Sequence, residues 1–203
     1  RVDEGRKEVV LTGTQLGSYG FDIPGINLKI LLKAILEYTD VKRLRVSSLQ
    51  PQEISDDFIS LWSDPRLCLH FHIPLQSGSN AILKLMRRRY SAELFEERVA
   101  AVREMYPDVA ISTDVIVGFP GETEHQFHES IEICQRVGFA ATHVFPYSVR
   151  PGTSAAYYAN HVEASIKNRR MWLMLNLANI HKTEFRRKFL GCTRSVLWEG
   201  LKS

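Results

Sequence analysis

The sequence predicts an α/β fold built on a parallel sheet, and three observations carry that expectation. Short apolar runs rich in β-branched residues recur along the chain, segments of helical period separate them, and glycine and polar residues follow the ends of the runs. The first run, residues 8–12, is Glu-Val-Val-Leu-Thr and stops at Gly13. Further runs occupy residues 44–47, 69–73, 110–117 and 141–147. Helical periods fill residues 28–38, 54–62, 81–86, 92–105 and 124–137. Thr123-Glu124-His125-Gln126 has the form of a capping box, after which Phe127, Ile131 and Cys134 recur on one face. Ser79 and Ser91 stand as further N-caps. A long helix over residues 164–190 carries Ile166, Leu173, Leu177 and Ile180 toward the core and ends at Gly191. Residues 193–199 then alternate like a strand that has just begun.

Alternation of this kind implies right-handed crossovers, in a doubly wound sheet or in a closed or partial barrel. Five strands are fewer than the eight of a complete barrel. The first begins only a few residues into the chain, as though an earlier βα unit had preceded it.

Composition narrows the function classes. The chain has 203 residues, 44% of them hydrophobic and 24% charged, enough for one globular core and unlike a disordered segment. The net charge of +3 is mild, but residues 167–194 hold eight Lys and Arg against Glu184 alone, a candidate phosphate-facing surface. No apolar run approaches the roughly 20 residues of a membrane span, so no membrane partner and a cytoplasmic location are expected. Cys68, Cys134 and Cys192 are far apart, which suggests buried thiols rather than a disulfide framework or a metal knuckle. Nothing in the pattern fixes an oligomeric state.

In parallel α/β folds the ligand site gathers at the carboxyl ends of the strands. The loop from Gly13 through Thr14 and Gln15 to Gly20 follows the first run. Ser48 and Gln50 follow the second, and Pro74-Leu75-Gln76-Ser77-Gly78 the third. The fourth runs from Asp114 into Gly118-Phe119-Pro120-Gly121-Glu122. Asp114 opens an apolar strand and needs a polar partner, for which Arg88 or Arg89 is available. The fifth ends at Phe145-Pro146-Tyr147-Ser148, an aromatic surface suited to stacking or to core packing. His70 and His72 share a strand face, but no third ligand is near in sequence. Hydrogen bonding is therefore favoured over metal, and no metal ligand or catalytic residue is assigned.

Taken together and in this order, these strand-end motifs resemble the radical S-adenosylmethionine methylthiotransferases that modify tRNA. The most specific pieces are residues 74–79, Met86-Arg87-Arg88-Arg89-Tyr90, residues 114–122 and residues 147–156. Residues 11–13 and 17–20, the three arginines and residues 143–148 are most like the branch acting on N6-threonylcarbamoyladenosine at position 37. The isopentenyladenosine branch is the nearer alternative. The resemblance implies a partial (β/α) barrel over residues 1–190, here without its first βα unit, and the linker and start of a nucleic-acid-binding domain over residues 191–203. It implies S-adenosylmethionine and 4Fe-4S clusters as cofactors, the cluster cysteines lying outside this chain, and tRNA as partner. By the same resemblance Gly13, Thr14 and Gln15 receive the methionyl amino group. Ser48, Gln76 and Arg88 form a polar wall near the ribose and carboxylate. Gly118, Gly121 and Phe145 frame the adenine, with Asp114 beside them. Two other readings remain: an aldolase-like barrel, for which no strand-end lysine is present, and a tRNA-binding barrel without catalysis.

Overall fold

A computed structural model of the chain describes residue 2 and residues 4–198. Five strands lie among them: β1 (Val9–Leu11), β2 (Leu44–Val46), β3 (His70–His72), β4 (Ala110–Val117) and β5 (Ala141–Pro146). The helices are α1 (Leu28–Tyr38), α2 (Asp56–Ile59), α3 (Asn80–Leu85), α4 (Ala92–Met105), α5 (Glu124–Val137) and α6 (Ala164–Arg187).

Every strand pairing is parallel, and neighbours follow chain order, β1-β2 in one sheet and β3-β4-β5 in the other. A doubly wound sheet reverses its strand order at a switch point. No reversal occurs among the described strands, so the arrangement is the arc of a barrel. Between β2 and β3 a non-strand segment continues the arc. Leu44 donates its N–H to the Arg66 carbonyl (2.7 Å) and accepts from Cys68 (2.9 Å), and Leu49 donates to the His72 carbonyl (3.0 Å).

Helix starts follow local chemistry. The Asn27 side chain accepts from the Ile30 amide at 3.0 Å, and Ser91 accepts from the Leu94 amide at 3.3 Å. Thr123 and Gln126 form the expected reciprocal box at 3.2 and 2.9 Å. Caps of this type contribute roughly 1 kcal/mol each. Gly138, in left-handed conformation, ends α5.

Three local expectations are corrected. The helix expected over 54–62 breaks into α2 and a 3-10 turn at Ser60–Ser63. The Ser55 hydroxyl caps α2 at Phe58, while Ser60 turns its own hydroxyl back to the Asp57 carbonyl (2.8 Å), an alternative partner that ends the helix. Ser79 occupies the N-cap of α3 without a side-chain cap bond. Residues 193–198 form no strand; Arg194 instead pairs with Asp108 and stacks over the Phe189 ring, and Glu199 lies outside the described residues.

The core is centred on Phe71, Phe95, Phe127 and Phe139, all fully buried. Phe95 meets Phe139 edge-on with centroids 6.0 Å apart. Against this core α6 presents Arg170, Met174, Ala178 and His181, while Ile180, expected inside, is 54% exposed. The buried stripe is partly polar, so apolar periodicity misplaces it. No helix among the described residues is long and apolar enough to cross a membrane.

Candidate functional site

The exit from β3 is shaped by its neighbour β4. The Thr113 hydroxyl donates to the Ile73 carbonyl (2.8 Å) and accepts from the Leu75 amide (2.9 Å), while the buried Tyr90 hydroxyl donates to the Pro74 carbonyl (2.8 Å). Burial pushes the Tyr90 phenol up to about 12. Gln76 then takes a left-handed conformation, φ 63°, held by its N–H to Asp114 O (2.8 Å) and its carbonyl to Ile116 N (2.9 Å). A non-glycine residue held there costs of order 1 kcal/mol or more, and such residues concentrate at functional positions. Gly78 follows where a Cβ would stand 2.6 Å from the Glu129 carbonyl, so only glycine lets α5 approach.

The exit from β4 is fastened from two sides. Gly118, at φ +73°, donates its N–H to Glu122 Oε2 at 2.7 Å. The same carboxylate accepts from Arg170 Nη1 of α6 at 2.6 Å, with the two side chains 1% and 4% exposed. Burial raises the Glu122 pKa above the ordinary carboxylate value, against the opposing pull of the Gly118 amide and Arg170. One turn earlier on α6, Lys167 packs on the face of Gly118 and donates to the Tyr147 carbonyl at 3.2 Å. Helix α6 thereby ties together the loops after β4 and β5.

Between those loops opens a cleft of about 470 Å³, walled by Gln76, Phe119, Phe145, Tyr147 and Arg150, with Asp114 among its lining. Phe145 pairs in register with Ile116, and Phe119 meets Tyr147 edge-on with centroids 5.2 Å apart. The Tyr147 hydroxyl is buried and has no hydrogen-bond partner. A second recess shares Gln76 and Phe119 with the cleft and adds Arg87 and Arg88. A third gathers Thr14, Gln15 and Gln50 with Arg87, Arg88 and Arg89. The structure therefore brings Gln76, Asp114 and Phe145 into one cleft, and Arg88 beside Gln76 on one side and beside Thr14 and Gln15 on the other. Gly13, Ser48, Gly118 and Gly121 line none of these spaces, although Gly118 and Gly121 shape the loop at the cleft's edge.

The partner of Asp114 is His72, not Arg88 or Arg89: His72 Nε2 lies 3.2 Å from Asp114 Oδ2. Asp114 and His72 stand on adjacent strands facing one side, whereas the arginines follow α3. His70 Nε2 and His72 Nδ1 both reach the Ser112 hydroxyl, at 3.0 and 2.9 Å. Burial, helped by Arg45 and His72, pushes the His70 pKa down to about 4. Sequence reasoning missed His143, whose ring centroid lies 6.0 Å from that of His72. Its place opposite Asp114 in the β4-β5 register is the signal, and it needs the strand pairing to be known.

Residues 1–134 match the family model of the radical SAM superfamily. The chain belongs to that superfamily. Solved structures of radical SAM proteins share the fold. Coproporphyrinogen III oxidase (HemN) from Escherichia coli aligns with a TM-score of 0.67 and 14% identity, covering 86% of this chain and 40% of that one. TsrM from Kitasatospora setae, a radical S-adenosylmethionine methyltransferase, aligns at 0.57 and 18%, covering 71% and 28%. Among curated proteins, the threonylcarbamoyladenosine tRNA methylthiotransferase MtaB of Bacillus subtilis is 42% identical over 180 residues, 88% of this chain and 40% of that protein. The tRNA-2-methylthio-N(6)-dimethylallyladenosine synthase of Acetivibrio thermocellus is 38% identical over 200 residues, 98% and 42%. The radical SAM chain thus spans less than half the length of these relatives.

Superfamily membership implies S-adenosylmethionine and a 4Fe-4S cluster, and the residues present fit the two differently. The aromatic walls of the cleft and its Gln76 side fit a nucleoside. The cysteines do not fit a cluster. Among the described residues Cys134 is fully buried with its thiol pushed up to about 12, Cys192 is exposed, and no cysteine belongs to a group of three ligands.

Proposed function

We propose that this chain is the cofactor-facing wall of a tRNA methylthiotransferase that adds a methylthio group to C2 of N6-threonylcarbamoyladenosine at position 37. The observation that carries the reading is the cleft at the carboxyl ends of β4 and β5, built from the strand-end motifs that resemble this family. The 42% identity to the threonylcarbamoyladenosine enzyme supports the choice of branch. S-adenosylmethionine, bound with its cluster, supplies the radical chemistry, while the protein binds, orients and shields.

In this reading Phe145 and Phe119 hold the adenine between apolar faces, with Asp114 below. Gln76 and Ser48 supply polar contacts near the ribose, and Arg88 faces the methionyl carboxylate. Gly13, Thr14 and Gln15 receive the amino group. Gly118 and Gly121 frame the adenine at the edge of the cleft. The cluster ligands lie outside these 203 residues, so this chain alone is catalytically silent.

For tRNA, the structure divides the basic tract in two. Arg169, Arg170 and Arg194 are held by Glu124, Glu122 and Asp108, and Lys167 by Tyr147. Lys182, Arg186, Arg187 and Lys188 are exposed on the last turns of α6 and on the residue after it, with no acidic partner among the described residues. These four form the phosphate-facing surface, residues 191–203 begin a nucleic-acid-binding domain beyond it, and the protein works in the cytoplasm.

The full-length protein, reconstituted with iron and sulfide, is expected to convert threonylcarbamoyladenosine in tRNA to its 2-methylthio form. Nucleoside mass spectrometry of treated tRNA reads this directly, and absence of the product sinks the assignment. The dimethylallyladenosine synthase at 38% identity favours a second reading, isopentenyladenosine as substrate. The same assay on tRNA carrying that base decides between them.

A further inference from the structure

His72, Asp114 and His143 come from three consecutive strands and converge on one point. One ligand atom of each lies within 4.8 Å of the other two. Asp114 faces His143 directly in the β4-β5 register, and His72 pairs with Ser112 two residues earlier on the same face of β4. Donors fixed on paired strands are held more rigidly than donors on loops.

The hydrogen bonds around His72 fix where its second nitrogen points. The Ser112 hydroxyl bridges His70 Nε2 and His72 Nδ1, at 3.0 and 2.9 Å, and His72 Nε2 faces Asp114 Oδ2 at 3.2 Å. Either a proton or a metal ion can stand between those two atoms. A proton is satisfied by those two atoms alone. The third donor, His143, makes no hydrogen bond within the protein among the described residues, and its ring is exposed and free to turn toward the pair.

We propose that His72, Asp114 and His143 bind one divalent transition-metal ion of the zinc class. With metal–donor bonds of about 2.0–2.1 Å in tetrahedral geometry, donors stand about 3.3 Å apart, which the His72–Asp114 pair already matches. Imidazole with carboxylate selects zinc, cobalt or iron(II) over magnesium and calcium. Ser112 orients His72 from behind, as outer hydrogen bonds do at metal sites. Three protein ligands leave a coordination position open, and the cleft that Asp114 lines lies beside it, so the ion accepts a water or an oxygen or nitrogen of a ligand there. Asp114 also lines the cleft assigned above to the cofactor, so the two share one wall, and metal binding is read with no cofactor present.

The test uses the 203-residue chain, stripped with chelator and titrated with zinc by calorimetry and with cobalt(II) by visible absorption. Saturable one-to-one binding in the low micromolar range or tighter is expected, with the intense d–d bands of a four-coordinate cobalt site. His143→Ala and Asp114→Asn should each weaken binding at least about tenfold, and Ser112→Ala by about 10–100-fold. The exposed pair His125 and His128 on α5 is the control, and replacing both by Ala should change nothing. Because His143 is exposed, its variant keeps the fold, which thermal unfolding verifies. Absence of saturable binding, or binding lost only in the α5 variant, overturns the site.

Discussion

The two halves of the arc are built to different standards. Around β4, eight residues pair with strands on both sides, α4, α5 and α6 cover the outside, and a buried ion pair fastens the loop beyond. Around β1 and β2, two three-residue strands pair only with each other. Backbone hydrogen bonds of Leu44 to residues 66 and 68, and of Leu49 to His72, connect them to the next strand. The well-paired half holds the cleft walled by Phe119, Phe145 and Tyr147. The lightly paired half contributes Thr14 and Gln15 to a polar recess that faces arginines. Strand pairing is concentrated around the cleft, and the short strands carry the loop that holds Thr14 and Gln15.

The largest effect is expected at the fastening of the first half. Arg170→Met leaves the Glu122 carboxylate buried beside Gly118 without its cation and should cost about 3–5 kcal/mol in urea unfolding. Replacing both partners by apolar residues should recover most of that loss. A small effect of the single change would show that water reaches the pair. In the second half, Leu44→Ala should cost about 2–5 kcal/mol, since the side chain is fully buried. Hydrogen exchange sharpens the contrast. The amides of β1 and β2 should open by local fluctuation while those of β4 exchange only with global unfolding, and equal protection in both halves would dissolve it.

Thiol chemistry gives a smaller, kinetic reading. Cys192 is exposed and should react with an alkylating reagent at once. Cys134, buried on α5 with its thiol pushed up to about 12, should wait for unfolding. The smallest effect is on pH. Burial lowers the folded pKa of His181 on α6 below its ordinary 6.5. The neutral form is the one the fold favours, so its contribution is complete above pH 6.5 and is lost as pH falls through and below that value. A modest drop in melting temperature below pH 6.5, flattened by His181→Gln, is the expected signature.

Much of this was legible before any coordinates. Residues 28–38, 92–105, 110–117 and 124–137 read correctly to the residue because an amphipathic period or an unbroken apolar run coincides there with an Asn, Ser or Thr cap or a glycine stop. The misses have separate physical causes. Residues 54–62 broke because serine hydroxyls compete for backbone partners, a local choice that apolar spacing does not record. The buried stripe of α6 was misread because Arg170 and His181 are polar, and their burial depends on Glu122 and on the packing of α4. Of the expected site residues, Gln76, Asp114 and Phe145 share a cleft since all three follow or face one sheet edge. His143 and the His72–Asp114 pair stayed hidden, because cross-strand register is a relation between segments 30 to 70 residues apart.

The two bonds from α6 have a consequence for how this chain can change. The superfamily match ends at residue 134, yet Arg170 and Lys167 reach back from beyond it to hold the loops after β4 and β5. A helix that closes the edge of a binding wall is not interchangeable trim. Anyone grafting this barrel arc onto another protein, or trimming it to the shared superfamily region, inherits a loop whose carboxylate has lost its counter-charge. The cut would be felt in the cleft first.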